Sequence, residues 1–295
     1  MRALHGIFAA AALAACCALS LGCASPPARD APVEFPRSAE PETPSLAAPE
    51  PAPVPANTAG LEEARLLAAR LTKSDSLGDY ASPAVFANFR EIRLGAIPPR
   101  RLYRSSHPAL PGDPRFPYAQ QFAENARIRA VINLVDDAGR IALYAEHNPW
   151  YRSFISGGRI IGLELGADYH SPAFEAGLGA ALRFIIGHEG PYLIHDNDGR
   201  DRTGFLAALL EALMGASPGE VAADYLKSYE NYYRLEPSDE SYRTLAVIAE
   251  DVLFTITGYL APETLDLAEA AEAYLGERMG LSPEEIAALK ARLGA

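Results

Sequence analysis

Residues 192–204 read Tyr-Leu-Ile-His-Asp-Asn-Asp-Gly-Arg-Asp-Arg-Thr-Gly, and this segment indicates the architecture around it. Its first four residues predict a short apolar strand. The polar residues after them predict a tight loop, since Gly199 tolerates backbone angles that other residues resist. A helix is then predicted to begin near Thr203, because apolar residues follow at helical spacing. A strand that passes through a short loop into a helix is typical of α/β proteins.

The loop in this segment has the features of an anion-binding site. Its main-chain N–H groups and the positive end of the following helix favour a bound phosphate. Arg202 adds a planar guanidinium that fits two phosphate oxygens. An arginine in the first helical turn is unfavourable for the helix dipole, so its position indicates a ligand rather than a stabilising role. We therefore predict a phosphate site here, with an ordinary surface loop as the alternative.

Outward from this loop, short apolar runs alternate with helix-length amphipathic segments. Strands are predicted at 101–104, 130–135, 160–165 and 192–195, with helices at 118–128, 141–151 and 172–188. Further helices are predicted at 203–214, 218–233, 239–259, 262–279 and 283–293, two of which begin with Ser-Pro-x-Glu, a capping pattern. The alternation predicts an α/β fold with a largely parallel sheet flanked by helices and a helical C-terminal layer.

Composition narrows the possible functions. The chain has 295 residues, of which 49% are hydrophobic, and a net charge of −12. Such an acidic balance argues against broad nucleic-acid binding, which needs a basic surface. All three cysteines lie within the first 23 residues, so the rest of the chain has no disulfide, thiolate metal site or cysteine nucleophile. The six histidines are scattered, and we predict no metal and no cofactor.

The N-terminal region predicts export. Residues 1–22 combine Arg2 with an uncharged apolar run, as in a lipoprotein-type signal peptide. Segments 13–16 and 20–23 both resemble the bacterial lipobox, so either Cys16 or Cys23 is expected to carry a lipid. We expect an exported protein anchored to a bacterial cell membrane by that lipid. An ordinary cleaved signal, giving a periplasmic or extracellular protein, is the alternative.

Residues 23–60 are predicted to be a proline-rich, disordered tether. Ten of the 24 prolines of the chain fall here, among Ala, Ser and Glu. This composition cannot bury enough apolar surface to fold and favours extended polyproline II structure. A peptide-recognition role for the prolines is the alternative. The folded domain is predicted to span residues 61–295.

The strand, loop and helix around residue 196 resemble those of protein tyrosine phosphatases, which carry His-Cys-x5-Arg in this setting. The bacterial secreted tyrosine/serine and dual-specificity branch extends the pattern to His-Cys-x-x-Gly-Lys-Asp-Arg-Thr-Gly. This chain matches that extension, with Arg200 in place of Lys, at His195, Gly199, Asp201, Arg202, Thr203 and Gly204. Segments 88–91, 102–106 and 131–134 are also similar to motifs of the branch. The resemblance implies a tyrosine-phosphatase-like fold and hydrolysis of phosphomonoesters.

One position departs from the family pattern. Asp196 stands where the family has its nucleophilic cysteine, and residues 197–201 give the usual spacing to Arg202. In the family the thiolate attacks phosphorus and forms a cysteinyl phosphate. A carboxylate is a weaker nucleophile, and its two oxygens can take the loop donors or Arg202 for themselves. We therefore expect the usual cysteine-phosphate mechanism to be impaired.

The resemblance also implies roles for individual residues. Asp196 and Arg202 take the catalytic positions, and His195 orients the loop. Asp168 is the first choice for a general acid, with Asp136 and Asp137 as alternatives and a turn or helix cap as the ordinary interpretation of each. The residues implied to bind phosphate are Asn197, Asp198, Gly199, Arg200, Asp201, Arg202 and Thr203. Four tyrosines at helical spacing are predicted to pack rather than to form a substrate wall: Tyr225, Tyr229, Tyr232 and Tyr233.

Two functions follow as hypotheses. In the first, the domain is a pseudophosphatase that binds a phosphorylated protein (phosphotyrosine or phosphoserine) or a phosphoinositide. In the second, it is a working phosphatase that uses an unorthodox Asp route, or a variant of an active enzyme. The run 196–199 superficially resembles the Asp-x-Asp-Gly of aspartyl-phosphate hydrolases, although those enzymes place it on their first strand and need Mg²⁺. A calcium loop fits worse, because Gly199 is misplaced and no Glu closes the loop.

Overall fold

A five-stranded sheet forms the centre of the domain in the computed structural model, which describes residues 58–295. The predicted signal peptide, nearly all of the predicted tether, and Cys16 and Cys23 lie outside the described residues. The strands are β1 (Arg90–Ile92), β2 (Leu102–Ser105), β3 (Ala130–Asn133), β4 (Ile160–Gly162) and β5 (Tyr192–His195). Their order is β1-β2-β5-β3-β4, and only the β1–β2 pair is antiparallel. The predicted α/β fold with a largely parallel sheet is confirmed.

Eleven α-helices surround the sheet within the described part of the chain. Those before β5 are α1 (Thr58–Arg70), α2 (Pro83–Phe86), α3 (Phe116–Asn125), α4 (Ala138–Ala145), α5 (Pro149–Ser156) and α6 (Pro172–Gly187). Those after β5 are α7 (Asp201–Leu213), α8 (Pro218–Tyr233), α9 (Glu240–Ile256), α10 (Leu267–Met279) and α11 (Pro283–Gly294). They form the predicted helical C-terminal layer. Over residues 58–295, none of these helices has both the length and the hydropathy needed to cross a bilayer.

The sheet separates two apolar cores, and β5 lies at its centre. Tyr192 and Ile194 face the larger core with α6 and α7, whereas Leu193 faces the smaller one with Val131 of β3. Successive residues of a strand point to opposite faces, which explains why an unbroken apolar run suits a strand covered on both sides. Helix α7 is equally enclosed, because every residue from Thr203 to its end is buried. The loop between β5 and α7 is thus held at both ends by core elements.

Several predicted elements differ in their bounds. The predicted helix 141–151 is broken, because Pro149 begins α5 and the Asn148 side chain caps it by accepting the N–H of Tyr151. The predicted helix 262–279 is a 3₁₀ turn, Pro262–Thr264, followed by α10, which Asp266 caps. The predicted strands 130–135 and 160–165 end at residues 133 and 162. Strand β1 and helices α1 and α2 were not predicted, and α1 begins three residues before the predicted domain start.

Candidate phosphate-binding site

The loop that joins β5 to α7 comprises residues 196–200 and turns tightly against the end of β2. Gly199 has φ of +69°. A Cβ at this position would lie 2.3 Å from the carbonyl carbon and oxygen of Ser105. Only glycine fits, both for its backbone angle and for the close approach. Helix α7 begins at Asp201, two residues earlier than predicted, so Arg202 lies within its first turn.

Asp196 lies at the floor of the loop, where only 3% of the residue is exposed. Its Oδ1 accepts hydrogen bonds from the N–H groups of Asp198, at 2.9 Å, and Gly199, at 2.6 Å. Its Oδ2 accepts the N–H of Thr203 at 3.2 Å. The side chain at the nucleophile position therefore occupies three of the main-chain donors that the sequence predicted for a phosphate.

Other donors of the loop have no hydrogen-bond partner within the described residues. The main-chain N–H groups of Asn197, Arg200, Asp201 and Arg202 make no hydrogen bond to any residue between 58 and 295. A cavity of about 220 Å³ opens above them, lined by residues 196–198, 200–202 and Ala167. The space exceeds what one ordered water needs, and main-chain donors at a helix start favour an anion.

Arg202 extends over this cavity. Its Nη1 donates to the carbonyl of Leu165 at 2.8 Å, and its Nε lies 3.9 Å from Oδ2 of Asp196. The side chain is 21% exposed, so it is neither fully buried nor turned out to solvent. One edge of the guanidinium is fixed to the main chain after β4, and the group remains close enough to add positive charge at the cavity.

Arg200 and Asp201 were predicted to bind phosphate, but their side chains contact each other and α8. The Arg200 guanidinium pairs with the Asp201 carboxylate at 2.7 Å, contacts the hydroxyl of Tyr233 and lies 4.9 Å from the ring centre of Tyr229. The Tyr229 hydroxyl donates to Asp201 Oδ1 at 2.6 Å. Burial alone would raise the pKa of Asp201, yet the charge and hydrogen bonds of Arg200 hold that pKa below its usual value. These two residues can therefore bind a phosphate through their main-chain N–H groups.

The tyrosines of α8 do more than pack. Tyr229 and Tyr233 hold the Arg200–Asp201 pair, and the Tyr232 hydroxyl donates to Oδ1 of Asp198. Burial raises the pKa of this Asp198 carboxyl. Packing is the role of the fourth tyrosine, Tyr225, whose ring lies against Gly204 of α7. Three hydroxyls that the sequence assigned to packing therefore fix the polar side chains of the loop.

His195 is fully buried directly before the loop. Its Nε2 lies 3.2 Å from the hydroxyl of Tyr151, which also accepts a hydrogen bond from Asn133. The hydroxyl can therefore donate to Nε2, leaving Nδ1–H to donate to the carbonyl of Asp196 at 3.3 Å. Burial lowers the pKa of His195 well below its usual value, so the ring is neutral. This geometry supports the loop-orienting role implied by the resemblance.

The three candidates for a general acid lie in different settings, and none lines the cavity. Asp168 is exposed on the loop after β4, one residue beyond Ala167, and its Oδ1 accepts the N–H of His170. Asp137 caps α4 by accepting the N–H of Arg140 at 2.7 Å. Asp136 is buried and its Oδ2 lies 2.8 Å from Nε2 of His107. Although burial would raise the pKa of Asp136, its hydrogen bonds to His107 and Asn133 hold it below the usual value. The assignment of a general acid stays a prediction.

Two residues that contact the loop from its outer side were not recognised as part of the site. Arg104 of β2 and Asn88 before β1 both donate to loop carbonyls. Both fall in segments that resemble family motifs, but local sequence pattern gives no sign of contacts with residues about a hundred positions away. Between residues 58 and 295, the histidine and acidic side chains form no group of three or more that could hold a metal ion.

A comparison with curated proteins finds no match. Residues 164–295, which include the loop and all helices after it, match the model of the tyrosine phosphatase family. The match supports the resemblance to tyrosine phosphatases over this part of the chain, and with it a function connected with phosphate esters.

Proposed function

We propose that the domain binds phosphomonoester groups in the loop between β5 and α7 and does not turn them over by the usual cysteine mechanism. The observation that carries the proposal is a set of four main-chain N–H groups with no partner among residues 58–295, around a cavity that Arg202 borders and with Asp196 at its floor. Such donors, at the positive end of a buried helix, suit the oxygens of a phosphate. The ligand is a phosphorylated protein of the phosphotyrosine or phosphoserine type, or a phosphoinositide.

The proposed loss of turnover rests on the chemistry of position 196. A carboxylate that accepts three main-chain hydrogen bonds is stabilised, and stabilisation lowers its reactivity as a nucleophile. Each of its oxygens accepts at least one of these hydrogen bonds, which draws electron density away from the lone pairs that would attack phosphorus. The cysteines of the chain are confined to positions 16, 17 and 23, before the described residues.

A second function is a working phosphatase that uses Asp196 itself. One observation favours it, because the Asp196 carboxylate lies at the floor of the cavity, where a family nucleophile is expected. Attack by Oδ2 on phosphorus would form an acyl phosphate as the bond between phosphorus and the ester oxygen breaks, and the departing oxygen would take a proton from water. A second water would then hydrolyse the acyl phosphate to the Asp196 carboxylate and inorganic phosphate. Either function would act outside the cytoplasm in our proposal, with the chain exported and anchored through a lipid on Cys16 or Cys23.

The experiment that tests both functions compares the full chain with its Asp196→Cys and Asp196→Ala variants. Hydrolysis of p-nitrophenyl phosphate is measured, and binding of a phosphotyrosine peptide and of inositol phosphates is titrated. Binding without hydrolysis by the unaltered chain, with hydrolysis gained in Asp196→Cys, supports the first function. Hydrolysis by the unaltered chain at rates typical of enzymes, lost in Asp196→Ala, establishes the second instead. Absence of both binding and hydrolysis in all three proteins refutes both functions.

A further inference from the structure

The outer side of the loop is held by Arg104, a fully buried residue of β2. Its Nη2 donates to the carbonyls of Gly199 and Arg200, each at 3.1 Å. Strand β2 pairs with β5 in register, Arg104 beside Ile194, which places the arginine directly under the loop that follows β5. The guanidinium therefore contacts the side of the loop opposite to the Asp196 carboxylate.

Two other groups hold the preceding carbonyls in the same way. The Nδ2 of Asn88 donates to the carbonyl of Asp198 at 3.0 Å and to that of Gly199 at 3.1 Å. The main-chain N–H of His107 donates to the carbonyl of Asn197 at 3.0 Å. The carbonyls of four consecutive residues, 197–200, are thus bound from outside the loop.

This anchoring determines where the N–H groups point. In a trans peptide the carbonyl of one residue and the N–H of the next point in opposite directions, and the peptide bonds of the loop are trans. The N–H groups of residues 198–201 must therefore face inward. Two of them do so visibly, because the N–H groups of Asp198 and Gly199 donate to Asp196 at the floor. The other two, of Arg200 and Asp201, have no partner among residues 58–295.

We propose that Arg104, assisted by Asn88, is a positioning residue for anion binding. It fixes the carbonyl of Gly199 outward, and it shares the carbonyl of Arg200 with the N–H of Gly204, which donates to that carbonyl at 2.7 Å. The N–H groups of Arg200 and Asp201 are thereby directed at a phosphate in the cavity. This inference rests on the proposed function and extends it to residues that do not touch the ligand. A loop with free carbonyls could turn these peptides over and would then present oxygens, which repel phosphate.

Arg104 is itself fixed by α8. Its Nη1 donates to Oδ2 of Asp224 at 2.7 Å, and its Nη2 donates to the hydroxyl of Ser228 at 2.9 Å. Arg90 of β1 binds the same carboxylate at 2.7 Å. Because the guanidinium is rigid and planar, its fork can reach two carbonyls and a carboxylate at once, a geometry that a lysine ammonium cannot reproduce.

The test uses the full chain with phenyl phosphate as the probe, titrated by calorimetry, and amide hydrogen exchange of the loop. Arg104→Met removes the donors, Arg104→Lys restores the charge with a different geometry, and Asn88→Gly removes the second anchor at a position whose φ of +48° glycine tolerates. The control is Arg115→Met. Arg115 is equally buried and pairs with Asp75, but it donates to no main-chain atom of the loop.

We expect Arg104→Met to weaken binding at least tenfold, equivalent to about 1.4 kcal/mol, and Arg104→Lys and Asn88→Gly to weaken it less. Exchange of the Arg200 and Asp201 N–H groups should change in Arg104→Met and not in Arg115→Met. Binding that falls equally in Arg104→Met and Arg115→Met overturns the inference, because affinity would then follow general stability. If the unaltered chain binds no phenyl phosphate, the proposed function fails. Amide hydrogen exchange then decides the positioning role by itself, and unchanged exchange of the loop N–H groups in Arg104→Met refutes that role.

Discussion

Removal of the Asp196 carboxylate should tighten the binding of a phosphate monoester. In the unaltered chain this group occupies the N–H groups of Asp198, Gly199 and Thr203 and places a negative charge beneath the ligand. In Asp196→Ala the three donors become available and the charge is gone. The same change leaves buried donors without partners when no phosphate is present, so the free energy of unfolding should fall by about 1–3 kcal/mol.

The size of the gain in affinity can be bracketed from the charge alone. Two unit charges about 4 Å apart repel by about 1 kcal/mol in water and by about 4 kcal/mol at an effective dielectric constant of about 20. These limits correspond to about fivefold and about a thousandfold in the dissociation constant. The Asp196 side chain is only 4% exposed, which favours the higher part of this range, whereas Arg202 at 3.9 Å offsets part of its charge. We expect a gain of at least about tenfold.

Asp196→Asn separates the two contributions. The amide is neutral and nearly the same shape, and its oxygen can still accept the N–H groups of Asp198 and Gly199. Asp196→Asn should therefore show the part of the gain in affinity that comes from removing the charge, while the two N–H groups stay occupied. Affinities for phenyl phosphate are measured by calorimetry for the unaltered chain and both variants, at one pH and salt concentration. If both variants fold and neither binds more tightly than the unaltered chain, the carboxylate does not compete with phosphate and the reasoning is refuted.

Three further predictions concern stability. Gly199→Ala should lower the free energy of unfolding by about 3 kcal/mol or more, because the new Cβ meets backbone atoms at 2.3 Å in addition to the strain of a positive φ. Tyr229→Phe should lower it by about 1–3 kcal/mol, because the half-buried Asp201 carboxylate loses a charge-assisted hydrogen bond. His195 is held neutral, so below pH 6.5 the unfolded state binds a proton that the folded state does not. The free energy of unfolding should therefore fall with decreasing pH by up to about 1.4 kcal/mol per unit, a slope that His195→Gln removes.

Each of these predictions has a comparison within the chain, measured by chemical denaturation. Gly158→Ala introduces the same strain at φ of +61° with no atom within 4 Å of the new Cβ, so an equal loss in both glycine variants contradicts the steric argument. Tyr274→Phe deletes a buried hydroxyl that has no partner within residues 58–295 and should change little. If the free energy of unfolding falls equally in Tyr229→Phe and Tyr274→Phe, the hydrogen bond of Tyr229 adds nothing to stability. If the free energy of unfolding depends on pH equally in His195→Gln and in the unaltered chain, His195 is not the group responsible for that dependence.

The elements that the sequence predicts well are those with local signals. Strand β5 and helices α6 to α8 have apolar periodicity or caps that do not depend on the rest of the chain, and the Ser217 and Ser282 capping boxes form as predicted. The predicted helix 141–151 missed the break before α5, although Pro149 is a local signal for it, since proline lacks the N–H that a continuous helix would need. By contrast β1 has only three residues and forms by pairing with β2, so its own sequence carries little information.

In the anion-binding loop, too, some features have local sequence signals and others depend on distant parts of the chain. Its position and its main-chain donors follow from a strand, a glycine and a helix start within 13 residues. The contacts of its side chains cannot be predicted from these local features. Arg200 matches a family position, and only the placement of α8 shows that its guanidinium lies among tyrosine rings. Likewise, Arg104 reaches the loop because β2 neighbours β5, and the order of strands in a sheet is not a local property of sequence.

The contacts that shape the loop are largely independent of the residue at position 196. Its carbonyls are held by Asn88, Arg104 and the His107 N–H, and its polar side chains are held by α8. None of these groups contacts the Asp196 carboxylate, which adds hydrogen bonds to donors that already face inward. A cysteine at this position would leave the anchoring contacts in place and return the three donors. Gain of hydrolysis in Asp196→Cys therefore needs no rearrangement of the loop. Because p-nitrophenolate leaves without a proton donor, failure of this variant to hydrolyse p-nitrophenyl phosphate would mean that the anchored loop does not hold phosphorus where residue 196 can attack it.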